Sequence, residues 1–271
     1  EPFSSEGKQI SKTIALCIFR VIKKICYCKF PYFAEGEFPD KEIVYNEPES
    51  KLDISGMVFE SFNYYNLLEY YKLKKVKFFF KAFKTVFLNK ADFRGAIFSG
   101  KADFIEATFS GEVKFIYTTF NGEVRFINTT FNGVVDFYFS TFYGEVIFQW
   151  AEFKTLQLDF CKIHKLFYLC RLTSLNELSI NNIENYGHFK IEWDQLNDKG
   201  QKTDLAHCIR KHRRFRSKCF TYYPRKEQLR FLKENFGKNG RYDEEDKAYF
   251  SLKKTERMEN FFSCWWNIPE F

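Results

Sequence analysis

Phenylalanine returns along this chain in two interleaved columns, each repeating at every eleventh position. Phe87, Phe98, Phe109, Phe120, Phe131, Phe142 and Phe153 form one column; Phe93, Phe104, Phe115, Phe126, Phe137 and Phe148 form the other. The columns alternate at spacings of six and five. Two residues before each Phe from 93 onward stands a small or β-branched residue: Ala91, Ala96, Ala102, Ala107, Val113, Thr118, Val124, Thr129, Val135, Ser140, Val146 and Ala151. Glycine keeps to one phase, at Gly100, Gly111, Gly122, Gly133 and Gly144, with Gly95 outside it.

A fixed period is the first thing a fold must satisfy. An eleven-residue period can mark a right-handed helical supercoil. Here every unit carries glycine or β-branched residues, which disfavour helix, and no charged helical face is left over. Very short strands with a turn every five or six residues fit the pattern, the chain turning a corner at each unit and stacking coil on coil. The six-residue units carry their extra residue beside the glycine column. The expectation is therefore a corner or bulge at which Gly111, Gly122 and Gly133 share one backbone conformation with φ > 0.

Units such as Ala107-Thr-Phe109-Ser-Gly111 and Val124-Arg-Phe126-Ile-Asn resemble those of pentapeptide repeat proteins. The resemblance is clear over residues 87–153 and departs in the alternate six-residue units. It implies a right-handed, four-sided β-helix in which the central Phe of each five and the small residue two before it point inward. Phe93, Phe98, Phe104, Phe109, Phe115, Phe120, Phe126, Phe131, Phe137, Phe142, Phe148 and Phe153 would then form the core ladder. Coils about 4.8 Å apart would bring successive rings into stacking range.

The flanks suggest four segments. Residues 1–75 read as an N-terminal extension and cap, since an open solenoid end exposes core and edge. Within them, Ile10, Ile14, Cys17, Ile18, Val21 and Ile25 lie near helical spacing among Lys8, Lys12, Lys23 and Lys24. That fits a helix packed on the domain, with a basic helix on a membrane surface as the alternative. Residues 76–193 read as the β-helix, Leu replacing Phe from Leu156 on, and 194–224 as a basic linker. Residues 225–271 read as a helical hairpin, with Gly237 stopping the first helix and Asp243 capping the second, followed by an aromatic tail. This hairpin resembles one that follows the solenoid in some prokaryotic pentapeptide repeat proteins, where membrane helices of an ion-channel type come next in some relatives.

Chemistry is scarce. The chain has 271 residues, 36 of them Phe, and 42 basic against 35 acidic residues, a net +7 spread over a large surface. No stretch approaches the roughly 20 apolar residues of a membrane span. There is no Walker A motif, dinucleotide fingerprint, HExxH or GxSxG. Of eight Cys, Cys161 with His164, and Cys208 with His207, His212 and Cys219, mix zinc-ligand types without the paired close spacing of a finger or ribbon. No metal, cofactor, catalytic residue or small-molecule substrate is expected, and free thiols suit a reducing cytosol.

The leading functional expectation is a non-enzymatic scaffold for macromolecular interaction, cytoplasmic, with a protein partner. The second is the soluble portion of a membrane, channel-like protein, associated with a membrane domain or an anionic membrane surface. The candidate binding residues are a basic run, Arg210, Lys211, Arg213, Arg214, Arg216 and Lys218, and Trp265 and Trp266 of the tail. The third is a DNA-mimicking inhibitor of a DNA-handling enzyme, as some pentapeptide repeat proteins are. Residues 98–153 hold three basic and seven acidic residues, only mildly acidic; nucleic acid itself is not an expected partner.

Overall fold

The computed structural model describes residues 31–40, 45–46, 51–72, 79–196 and 225–266; the side chains of Tyr45, Asn46, Arg225 and residues 258–266 are outside that description. The described part is a parallel β-solenoid followed by a pair of helices. One coil takes two of the sequence periods, so Ala102 lies over Phe80 and beneath Val124 in a parallel ladder. The coils lay short strands on four walls. In the central coil these are Ala102–Asp103 on the first wall, Thr108–Phe109 on the second, Val113–Lys114 on the third and Thr119–Phe120 on the fourth. The next coil begins at Val124–Arg125, back on the first wall.

Inward positions follow the period. All twelve Phe of the two columns from 93 to 153 are buried. They stack in four ladders. Phe93–Phe115–Phe137 stand 4.8 Å apart at each step, Phe98–Phe120–Phe142 5.0 and 5.2 Å, Phe104–Phe126–Phe148 4.9 and 4.8 Å, and Phe109–Phe131–Phe153 5.0 and 4.9 Å. Their planes lie within 11° of parallel. Backbone N–H groups bond along the axis, as Thr119 N to Ala96 O and Asn121 N to Phe98 O, both 2.9 Å. The inward small column does more than leave room. Thr118 and Thr129 donate their hydroxyls to Phe93 O (2.9 Å) and Phe104 O (2.8 Å) of the coil below, and the Cys161 thiol does the same to Phe137 O (3.0 Å). Buried polar atoms placed this way keep their bonds.

The corners correct the expectation about glycine. None of Gly100, Gly111, Gly122, Gly133 and Gly144 has a positive φ. The left-handed residues are Glu106, Tyr117, Asn128, Phe139 and Trp150, at every eleventh position, with Gly95 and Lys84 continuing the series upstream. Glu106, Tyr117, Phe139 and Trp150 are each the third residue of a β-turn closed by a bond such as Ala107 N to Phe104 O (3.1 Å), and a positive φ there is what a type II turn requires. So two corner types alternate: a five-residue segment turns through a left-handed residue, a six-residue segment through glycine. The glycines answer a different demand. A Cβ on Gly122 would stand 2.3 Å from Gly100 O, and on Gly133 2.2 Å from Gly111 O. At these glycines the backbone of the coil below is too close for a Cβ.

The left-handed corner carries a prediction. A β-branched residue tolerates this conformation far worse than Asn does. Asn128→Val is expected to cost about 1–2 kcal/mol, and Asn128→Gly to change stability by no more than about 0.5 kcal/mol. Chemical denaturation of both variants checks this, and equal stabilities would contradict the strained-corner account.

Beyond Phe153 the rhythm slips by one residue. Phe131 pairs with Phe153 but Val134 with Thr155, and Thr141 pairs with Lys162. This corner has no glycine, and its extra residue is missing; Glu152–Gln157 runs through it as one strand, as Thr130–Asp136 does at Gly133 in the coil below. Upstream, coil stacking reaches past residue 76: Lys51–Asp53 already registers on Phe79–Lys81, and Val58–Phe59 on Val86–Phe87. The helix Tyr64–Tyr70 sits at the open end of the fourth wall. Asn63 caps it by accepting from the N–H groups of Tyr65 and Asn66, and its buried Tyr64 ring lies 5.3 Å from Phe98.

The far end is covered by the helices Arg225–Lys238 and Tyr242–Trp266. Phe231 meets Phe189 at 5.3 Å, Phe236 meets Trp193 at 6.3 Å, and Arg241 donates to Ile191 O, a carbonyl of the last coil. Gly237 lies inside the first helix rather than ending it. A Cβ there would meet the Glu245 carboxylate at 2.9 Å, and Gly240, at φ +68°, is the residue that turns the chain. Asp243 falls within the first turn of the second helix.

Candidate interaction surface

Outward residues differ sharply among the walls. On the first wall charges pair between coils and along them: Lys101 with Glu123 at 2.7 Å, Arg125 with Asp103, and Lys51 and Lys81 with Asp53 at 3.1 and 3.7 Å. On the third wall Arg94 and Lys90 hold Asp92 at 2.7 and 3.4 Å, and Lys114 meets Glu112 at 3.2 Å. Burial alone would raise the Asp92 carboxyl, but the bonds from the Arg94 side chain and N–H outweigh it and hold it below the usual range. Asp136 goes the other way. Burial lifts it, and Asp159 and Glu112 add to the lift against the Tyr138 N–H and Lys114. These walls are laced with opposite charges at short range, and exposed pairs of this kind contribute little to stability. The second wall sets Val86, Thr108, Thr130 and Glu152 outward, and the Lys84–Glu106 pair, 3.4 Å apart, borders it at the left-handed corner.

The fourth wall is built otherwise. Its outward strand positions in three consecutive coils are Ile97, Thr119 and Thr141, and the charged pair Lys162–Glu184, 3.0 Å apart, appears only toward the far end. Aromatic ladders run along both of its corners. On one, Tyr117 stacks on Phe139 at 5.3 Å and Phe139 on Phe160 at 4.9 Å, with Tyr138 edge-on to Phe139 at 4.6 Å. On the other, Tyr143, His164 and Tyr186 stack at 4.5 and 5.1 Å. These rings are outside the core: Tyr117 is 62% exposed and Tyr143 47%, and Ile97 between them is 56% exposed. Burial plays a minor part at the far end, where Tyr186 donates to Glu184 at 2.7 Å; that bond raises the phenol and lowers the carboxyl.

The two-corner geometry explains the ladders. A left-handed turn residue points its side chain outward, and the coil repeat superposes it on its counterpart one coil on. Tyr117 and Phe139 are such a pair, with Asn128 of the opposite corner between them in sequence. A reading at half the coil length averages the two corners and passes over the aromatic one. At the full coil length the signal was present in the sequence.

The residues singled out by the sequence divide between core, corner and surface. The Phe ladder is core and the glycines mark the close-approach corner. Arg210, Lys211, Arg213, Arg214, Arg216 and Lys218 lie outside the described residues, as does the segment 10–25. Trp265 and Trp266 end the helix Tyr242–Trp266, with their side chains outside the description. Cys161 is buried in the small column, where desolvation pushes its thiol up, and His164 is stacked between two tyrosines on the outside. Among the described residues no group of three or more His, Cys, Asp and Glu is placed to hold a metal ion, and no helix is long and apolar enough to cross a membrane.

Residues 82–130 match the family model described as pentapeptide repeats (9 copies), within the segment where the four ladders and two corner types are on view. The solenoid is a pentapeptide-repeat β-helix. No curated protein and no solved structure matches the chain. In this pentapeptide-repeat solenoid the alternate six-residue units are part of the coil geometry, since they supply the glycine corner on which backbones close up.

Proposed function

We propose that this pentapeptide-repeat solenoid is a non-enzymatic scaffold that binds protein through its fourth wall. The observation that carries the reading is the contrast between walls. The first and third walls carry charged side chains, many of them ion-paired, whereas the fourth leaves Ile97, Tyr117, Phe139 and Tyr143 exposed along a rigid, uncharged strip. Exposed contiguous apolar surface of this kind marks interaction sites, and aromatic residues dominate binding hot spots. Mimicry of a nucleic acid would need a long line of unneutralised like charge, and Asp53, Asp92, Asp103, Glu112 and Glu123 each stand beside a Lys or Arg instead.

A photo-reactive residue placed at Ile97 is expected to cross-link the full chain to protein in its native cellular setting. The same residue at Lys114, on the third wall, is expected to give little. Equal cross-linking from both walls, or none from Ile97, contradicts the assignment.

A further inference from the structure

We propose that the second helix of the hairpin, Tyr242–Trp266, attaches the solenoid to the surface of an anionic membrane through its last turns. This contact is separate from the fourth wall and does not rest on it.

The two helices are unequal. The second has 25 residues and the first 14, so the second runs on past the start of the first by about 16 Å at about 1.5 Å per residue. It is anchored to the end of the solenoid at its start. There the Glu244 carboxylate accepts from the Trp193 N–H at 3.2 Å, and Arg241, just before the helix, donates to Ile191 O. The projecting end is the end farthest from these anchors.

Residue types change along the helix in a fixed order. Its first turns carry Asp243, Glu244, Glu245 and Asp246, beside the solenoid. Lys247, Lys253, Lys254 and Arg257 follow, and Lys247, Lys254 and Arg257 are exposed. Glu256 among them is held by Lys253 at 2.8 Å. Met258, Phe261, Phe262, Trp265 and Trp266 then fall at i, i+3, i+4, i+7 and i+8, which is one side of an α-helix. Glu259, Asn260 and Ser263 fall on the other side.

That order selects the occupant. At a lipid surface Trp and Phe rest at headgroup depth, and cations one turn back reach anionic phosphates, so both parts of the segment are used. A groove on a folded protein takes the apolar stripe alone and leaves the cations without a role. The acidic first turns give direction. An anionic bilayer repels them and attracts the far end, so the helix meets the surface by its last turns. The stripe is short, five residues in nine, too little apolar area for firm attachment by itself. The cations supply the second contribution, so attachment needs both and weakens as salt rises.

Co-sedimentation of the full chain with phosphatidylcholine vesicles, with and without about 30% phosphatidylserine, at about 50 mM and about 500 mM salt, tests this. Pelleting is expected with the anionic vesicles at low salt, and partitioning at least ~10-fold weaker with neutral vesicles or at high salt. Trp265→Ala with Trp266→Ala, and separately Lys254→Glu with Arg257→Glu, are each expected to lower partitioning at least ~10-fold. Tyr242→Ala, exposed in the acidic first turn of the same helix, is expected to leave it unchanged. Far-ultraviolet circular dichroism confirms that each variant is folded, and the comparison of vesicles and salt on the parent needs no variant. A parent that does not pellet with anionic vesicles at low salt, or that pellets equally with neutral ones, overturns the proposal. So do folded variants of either pair that partition as the parent does. A parent that ignores vesicles while a photo-reactive residue at Trp265 cross-links to a protein assigns this helix end to a protein groove instead.

Discussion

Replacing Gly122 by Ala is expected to destabilise the solenoid by about 3 kcal/mol or more, a large effect for one methyl group. The added Cβ would lie 2.3 Å from Gly100 O, 2.5 Å from its carbonyl carbon and 2.8 Å from Lys101 N. All three are backbone atoms of the coil below, and that coil is held in place by its own bonds along the axis. Val124 N, two residues on, donates to Glu145 O at 2.7 Å, and Ala102 N below it donates to Glu123 O at 2.9 Å. Relief therefore requires two coils to separate, which stretches several such bonds and opens the Phe ladders beside them. Gly95 provides the contrast. It has φ +65°, and a Cβ there would meet only the Tyr65 side chain, its hydroxyl at 2.8 Å, the far end of a group that can swing away. Gly95→Ala is expected to cost about 1 kcal/mol, the ordinary strain of a left-handed Ala. Urea denaturation of both variants gives the comparison. A Gly122→Ala protein within about 1 kcal/mol of the parent would refute the close-approach account.

Phe120→Ala is expected to cost about 3–5 kcal/mol. The ring is buried, stacked 5.0 Å from Phe98 below and 5.2 Å from Phe142 above, and tilted 5.8 Å from Phe115 in its own coil. Removing it takes out the middle of a column. A core built of side chains on mobile helices can close around such a hole. Here the coils above and below are fixed by strand hydrogen bonds, so collapse is small and most of the cavity persists. Coil-to-coil coupling also spreads the effect, because each repeat is stabilised through its neighbours. Thermal unfolding of this variant should begin well below that of the parent; a melting profile unchanged to within a degree or two would mean that Phe120 is not in the stack.

The inward half of this fold could be read from the sequence because core positions repeat without exception. A Phe at every fifth or sixth residue, preceded by Ala, Val, Thr or Ser, leaves only one kind of backbone that buries them all. The corners were harder. Glycine suggests φ > 0 when one chain segment is considered alone, and the actual constraint, a carbonyl of the neighbouring coil, comes from a full coil away in sequence. The left-handed positions gave no compositional signal, being filled by Glu, Tyr, Asn, Phe and Trp, because turn geometry rather than residue type imposes the conformation there. The polar members of the small column were read for size, while Thr118 and Thr129 also donate to carbonyls below. The candidate surface was missed for a related reason. Tyr117, Phe139 and Phe160 become a ladder only when the coil length is known.

That the sequence repeats twice for each coil bears on how a chain like this can lengthen. Inserting one sequence period would preserve every buried contact: Phe would still meet Phe, and glycine would still fall at a six-residue corner. Everything downstream, however, would be turned half a revolution about the axis. Asn128 would then stand over Tyr117 in place of Phe139, and the surface strip would be cut in two. Inserting two periods would extend all four sides in phase. A purely structural rod can grow by either step, whereas one that uses a particular side can grow only by the longer one. The number of half-revolutions separating two surface features is therefore a heritable property of the gene, readable in other chains of this design as an even or odd count of sequence periods.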